Sequence, residues 1–259
     1  MAPSAQPVAE LTPLPKADGS ATFSYGGYTV TAAVNGPIEA QRRDENAFEA
    51  LVDVNVRPAA GVGGTAERQL EAILQSALRQ LIPVRDYPRC MIQITLQLVE
   101  TPENAYVNAK IVQAQLNLLS IPALMHAAVL GLLTAAIPLK YIATATVLAI
   151  PADVSQGGKA APVILVDPSP AEADKARSIH ALGFTSDDEL LLMESEGEFT
   201  VEEMKQVLAT AERVCGQGAK DAEQRDMTMG GGAVAESGGV KAFIRSVMET
   251  KTAADLHWK

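Results

Sequence analysis

The chain has 259 residues, 47% of them hydrophobic, 20% charged and only 4% aromatic, with a formal net charge of −10. That length holds one large domain or two small ones, with a core built from Ala, Val, Leu and Ile. So acidic a chain is a poor free-standing binder of nucleic acid, and its two cysteines, Cys90 and Cys215, make neither a disulfide framework nor a zinc pattern.

Residues 1–17, rich in Pro and Ala, read as a flexible N-terminus, and no basic region followed by an apolar core marks a secretory signal. Ala21–Thr31 alternates about a Gly26-Gly27 turn as a β-hairpin does, and Ala32–Ile38 continues its second strand to Gly36-Pro37. Ala50–Arg57 alternates with period two and predicts another strand. Gly61–Gly64 is a turn, and Thr65 is placed to cap the next helix, with Glu67 early enough to suit its dipole. Leu70, Ile73, Leu74, Ala77, Leu78 and Leu81 follow at helical spacing, and Pro83 ends the run. Cys90–Glu100 is the clearest strand, and 101–115 reads as an insertion or extended turn.

Leu116–Leu139 contains no Asp, Glu, Lys or Arg. Pro122 and Pro138 bracket a helix of roughly 16 residues, or about 24 Å, short for a hydrocarbon layer of about 30 Å. The segment therefore predicts a helix buried on all sides, with a membrane-associated protein as the alternative. Ile142–Ile150 is a β-branched strand, 151–162 a loop and Val163–Val166 a short strand, whereas 174–182 fits neither periodicity. Leu190–Glu194 predicts a strand and Gly197 a turn; Thr200 with Glu203 forms a capping box for a helix over about 201–215. Residues 216–239 are a Gly-rich loop or linker by composition, and Val240–Glu249 predicts a helix in a C-terminal segment, 240–259. This order of elements gives an α+β domain or two related α/β halves.

Gly61-Val-Gly-Gly-Thr65 lacks the ending and spacing of a phosphate loop and reads as a turn with a helix cap. His126, His180 and His257 have no metal spacing, and His126 reads as a core histidine. The carboxylates of Ser186–Glu189 and Met193–Glu198 read as a solvated surface rather than a magnesium site. Arg42 and Arg43, with Arg57, Arg68, Arg79, Arg85 and Arg89, make the first 90 residues relatively basic, and arginine suits bidentate contact with phosphate.

Four landmarks stand in order. They are Asp18-Gly-Ser-Ala with Asn35-Gly-Pro-Ile-Glu39; Tyr87-Pro-Arg89 before a long strand; Ala127–Pro138; and Val166-Asp-Pro-Ser-Pro through Arg177, with Leu191-Leu-Met-Glu-Ser beyond. Together they resemble the RNase PH family, and within it the ring subunits of the eukaryotic RNA exosome, over roughly residues 10–215. The resemblance implies an RNase PH-like α+β fold of two ribosomal protein S5 domain 2-like lobes, here 18–215, in which β-sheets pack with helices. Active members carry a Gly-Gly-Thr-Arg-Thr stretch that binds the attacking phosphate; the matching positions, about Leu118–Ala123, have neither the glycine pair nor the arginine. Two aspartates six residues apart fall on Ala173 and Ile179, and another active-site arginine falls near Ser76. A one-residue slip offers Asp174 with His180 instead.

The resemblance thus implies an inactive ring subunit supporting 3′-to-5′ RNA processing and decay, including ribosomal RNA maturation. It implies no catalytic residue, cofactor or metal. Arg42 and Arg43 would guide single-stranded RNA through the pore. Implied partners are other RNase PH-like ring subunits, paired edge to edge, with S1/KH cap subunits and catalytic exosome nuclease subunits, and no membrane. Implied locations are nucleus, nucleolus and cytoplasm. The alternative is an active phosphorolytic or hydrolytic exoribonuclease using Asp174.

Overall fold

The hairpin near the start of the chain seeds the first of two sheets. The computed structural model describes residues 6–102, 117–152, 164–226 and 239–257. Strands β2 (Gly19–Tyr25) and β3 (Tyr28–Glu39) pair antiparallel with Tyr25 opposite Tyr28, and Gly26 and Gly27 turn between them at φ of 61° and 85°. That two-residue turn with both φ positive matches the twist of the flanking strands. β5 (Cys90–Glu100) adds antiparallel to β3, and β4 (Leu51–Arg57) adds parallel to β5. The segment expected to be a flexible N-terminus supplies β1 (Val8–Leu11), which pairs with β2 from Val8–Ser24 to Leu11–Ala21. Four alternating residues are too short a signal to read alone; the neighbouring strand orders them. The sheet order is β1-β2-β3-β5-β4.

Helix α1 (Thr65–Leu81) buries Leu70, Ile73, Leu74, Ala77, Leu78 and Leu81, as its spacing predicts. Its cap is Gly64, not Thr65: the Glu67 carboxylate accepts the Gly64 N–H at 2.6 Å. α1 also closes the outer edge of β4. Glu71 accepts the Val56 N–H (2.9 Å), and the Gln75 amide donates to the Val52 carbonyl (2.6 Å).

Helix α2 (Ile121–Thr134) is the charge-free segment, buried from Ile121 through Leu132. It lies between the two sheets, against β2 and β3 on one side and β6 (Ala143–Pro151) on the other. The approach to β3 is close: a Cβ on Gly131 would meet Val34 at 3.0 Å. Among the described residues no helix is long and apolar enough to cross a membrane. The expected insertion at 101–115 lies almost wholly outside the described residues.

The second sheet is β7-β6-β8-β9, all antiparallel, with β7 at Leu165–Val166, β8 at Ala176–Thr185 and β9 at Leu190–Gly197. A one-turn helix, α3 (Pro170–Ala173), precedes β8. β8 occupies the stretch that fits no periodicity. It is covered by α2 on one face and α4 on the other, so both faces are buried and the alternation disappears. Helix α4 runs Val201–Asp226, so residues 216–226 are helix rather than linker. Gly216 and Gly218 each weaken a helix by about 1 kcal/mol, but good helix formers follow them. The Thr200–Glu203 capping box forms as expected: Glu203 accepts the Thr200 N–H (2.8 Å), and Thr200 Oγ1 accepts the Glu203 N–H (3.3 Å). Helix α5 (Val240–Leu256) outruns its expected end at Glu249, buries Ile244, and sets Phe243 6.3 Å from the Phe23 ring. The remaining Gly-rich residues, 227–238, lie outside the described residues.

Candidate functional site

Arg42 and Arg43 lie on the connection between β3 and β4, residues 40–50, and both are exposed. This connection is clamped to the segment before β5. Ala40 N–H donates to the Arg89 carbonyl (3.2 Å), Arg89 N–H to the Asn46 carbonyl (3.0 Å), and Ala50 N–H to the Val84 carbonyl (2.7 Å). Within the loop, Phe48 N–H donates to Asn46 Oδ1 (3.1 Å). The Arg89–Glu45 ion pair (3.2 Å) adds to the clamp, Arg79 of α1 pairs with Glu49 from a second side, and Arg43 pairs with its neighbour Asp44 (3.2 Å).

These pairs change the electrostatic reading. Arg42, Arg43, Arg79, Arg85 and Arg89 are matched one for one by Glu39, Asp44, Glu45, Glu49 and Asp86, so this rim has no net charge. Only Arg42 and Arg85 of the five have no ion pair among the described residues. Exposed ion pairs contribute little, so Arg43 exchanges Asp44 for a phosphate at small cost. The side chain that sequence reading missed is Phe48, 81% exposed on the same loop. An aromatic inside Asp44-Glu-Asn-Ala-Phe-Glu49, outside any apolar period, was the available signal.

The positions matching the phosphate-binding stretch fold inward. Leu118–Ser120 form a single 3-10 turn leading directly into α2, and Leu118, Ser120, Ile121 and Ala123 are buried. The Ser120 hydroxyl is engaged with the Asn117 carbonyl at 2.8 Å. No cationic side chain belongs to this stretch, and its apolar groups cannot neutralise or orient an anion.

The other catalytic positions are equally plain. Ala173 is buried, Ile179 is half-buried, and Ser76 lies exposed on α1 with its hydroxyl on the Ile73 carbonyl (3.2 Å). Asp174 and His180 are not assembled into a pair. Asp174 is exposed and makes no side-chain hydrogen bond or ion pair among the described residues. His180 is buried in β8, with Nε2 on Ser178 Oγ (3.0 Å) and Nδ1 on Ser195 Oγ (2.8 Å), and burial lowers its pKa.

The Gly61 loop is a turn and cap, its first anion position already taken by Glu67. Asp187, Asp188 and Glu189 form the exposed turn between β8 and β9, and the described residues contain no cluster of His, Cys, Asp or Glu able to hold a metal. Cys215 is buried, its thiol pushed up to about 12 by burial.

His126 is a core histidine with a specific task. β7 pairs β6 only at Leu148 and Ala149, and His126 Nε2 accepts the Ala145 N–H (3.0 Å) where that pairing is absent. The ring proton then sits on Nδ1, which has no hydrogen-bond partner among the described residues. Burial drives the pKa down to about 3, so the ring is neutral. The two sheets are also joined by a half-buried bond from the Tyr25 hydroxyl to Asp167.

The sequence matches the 3′ exoribonuclease family, domain 1, over residues 8–138 and domain 2 over residues 156–214. It is similar to exosome complex component RRP46 of Saccharomyces cerevisiae, 32% identical over 213 residues that cover 80% of this chain and 89% of that protein. It is 34% identical over 129 residues to exosome complex component rrp46 of Schizosaccharomyces pombe, covering 50% of this chain and 51% of that one. Among solved structures, rice (Oryza sativa) Rrp46 superposes with a TM-score of 0.66 at 24% identity, over 80% of this chain and 87% of the other. A chain of the archaeal exosome core superposes with a TM-score of 0.62 at 14% identity, over 84% and 85%.

Proposed function

The chain belongs to the RNase PH 3′ exoribonuclease family, and on that premise we propose that it is a non-catalytic subunit of an RNA exosome ring. The observation that carries this is the fate of Leu118–Ala123: where active relatives hold the attacking phosphate, this chain continues its core. Without a bound and oriented phosphate the attack loses both proximity and charge stabilisation. The alternative, a nuclease built on Asp174, has no assembled partner to support it.

The chain instead acts by shape. It takes its place beside other RNase PH-like subunits and contributes one wall of a pore. The β4 edge is sealed by Glu71 and Gln75, so strand pairing with a neighbour falls to β1, β7 or β9, which have no outer partner strand among the described residues. Arg42 and Arg43 guide single-stranded RNA by phosphate contacts without reading its sequence. Cap subunits of the S1/KH type sit over the ring, and separate nuclease subunits hydrolyse the RNA. Processing of ribosomal RNA and RNA decay follow, in nucleus, nucleolus and cytoplasm.

The test is direct. The purified chain is incubated with single-stranded RNA, magnesium and inorganic phosphate, and nucleoside diphosphates and monophosphates are measured. The expected result is neither product. Phosphate-dependent diphosphate release abolished by Asp174→Ala overturns the reading.

A further inference from the structure

Phe48 is the most exposed aromatic among the described residues, in a chain with only five phenylalanines. A lone exposed hydrophobic residue is ordinary on a protein surface. The backbone around this one is not. Asn46 is held through its carbonyl by Arg89 N–H and through its side chain by the Phe48 N–H, Glu49 pairs with Arg79, and Ala50 is bonded to Val84. The residues on both sides of Phe48 are therefore fixed while its ring, with no ring contact among the described residues, is left in water. The same clamp sets the loop carrying Arg42 against the segment carrying Arg85, the two rim arginines without a carboxylate partner among the described residues.

A pre-ordered flat apolar ring on the loop that also carries Arg42, clamped to the segment that carries Arg85, fits one ligand chemistry well. Single-stranded RNA offers an unstacked base to the ring and phosphates to the arginines. Stacking tolerates any base, which suits a surface that RNA of every sequence must pass. The rim's balanced charge adds a reason: without net positive potential to attract the backbone, contact depends more on the base.

We propose that Phe48 is a base-stacking platform for single-stranded RNA, with Arg42 and Arg85 holding neighbouring phosphates. This rests on the reading of the rim as an RNA-contacting surface. The test measures binding of the full chain, at low salt, to a fluorescent oligouridine and to a phosphodiester strand of equal length with every base removed. Phe48→Ala keeps the backbone N–H bond and removes only a ring in solvent, so the fold is retained. It is expected to weaken oligouridine binding roughly five-fold to a hundredfold and to leave the baseless strand unaffected, and Phe48→Tyr restores binding. Parental affinity of Phe48→Ala for oligouridine, or an equal loss on both strands, overturns the stacking proposal. In that case Arg42→Ala with Arg85→Ala separates the two ideas. Weakening on both strands keeps the rim as an RNA surface, whereas unchanged binding removes the rim reading as well.

Discussion

The Tyr25 hydroxyl donates a hydrogen bond to the carboxylate of Asp167, 142 positions away in the chain, and so joins the first sheet to the second. Thr146 Oγ1 donates to the other oxygen at 3.3 Å, and the Asp167 N–H is held by the Val147 carbonyl at 2.9 Å. Burial raises the Asp167 pKa, opposed chiefly by the Tyr25 bond, and burial with the Asp167 charge raises that of Tyr25. The pair is thus a half-buried acid whose carboxylate accepts from a phenol and a threonine hydroxyl.

Tyr25→Phe removes the donor and leaves the acid. The expected loss is about 1–3 kcal/mol at neutral pH, read by chemical denaturation. Because the lost bond favours the ionised carboxylate, the deficit shrinks as pH falls and Asp167 protonates. A deficit that stays constant with pH contradicts this. Asp167→Asn in the Tyr25→Phe background is expected to cost less than in the parent.

His126 makes the chain acid-sensitive. Its pKa is near 6.5 unfolded and about 3 folded, so below pH 6.5 the unfolded state takes up the proton first and stability falls until about pH 3. The contribution between pH 8 and pH 5 is about 2 kcal/mol. His180 acts in the same direction and Asp167 in the opposite one, so the quantity to measure is the difference from His126→Gln. That variant is expected to be less stable at pH 8 and to lose about 2 kcal/mol less on acidification. Parallel pH profiles would contradict a neutral, buried His126.

Arg42→Ala with Arg43→Ala is expected to weaken single-stranded RNA binding equally on different homopolymers. The slope of log affinity against log salt should fall in magnitude by about 1.4 for two lost phosphate contacts on a single strand. Thermal stability should be unchanged, since both side chains are exposed and the Arg43–Asp44 pair contributes little. An unaltered salt slope removes these two residues from the RNA path.

Glu71→Ala with Gln75→Ala unseals the β4 edge. Each substitution leaves a backbone group without its partner, at about 1 kcal/mol apiece. The free edge is also expected to promote self-association visible by sedimentation. Unchanged stability and mass would mean that water replaces both contacts.

Much of this fold is legible in the sequence because several elements each sit in one uniform environment. The Gly26-Gly27 hairpin, the amphipathic face of α1 and the charge-free run of α2 each show a period or a composition that one physical environment imposes. β8 is not legible because helices cover both of its faces and erase the alternation. β1 is too short to signal without β2 beside it, and α4 runs through two glycines because the residues after them favour helix. The site divides in the same way. The residue types at Leu118–Ala123 already speak against a phosphate site. The pairing of the rim arginines is invisible until residues 40–50 fold against 84–89, bringing Glu45 to Arg89, and against α1, bringing Glu49 to Arg79.

Assembly is the central claim, and native mass measures it most directly. The tagged full-length chain is recovered from extract of its own cells, its associated proteins are identified, and the intact particle is weighed by native mass spectrometry. The account predicts a particle many times the mass of one chain, containing other RNase PH-like subunits in equal stoichiometry. A monomer, or a particle made only of copies of this chain, would contradict it.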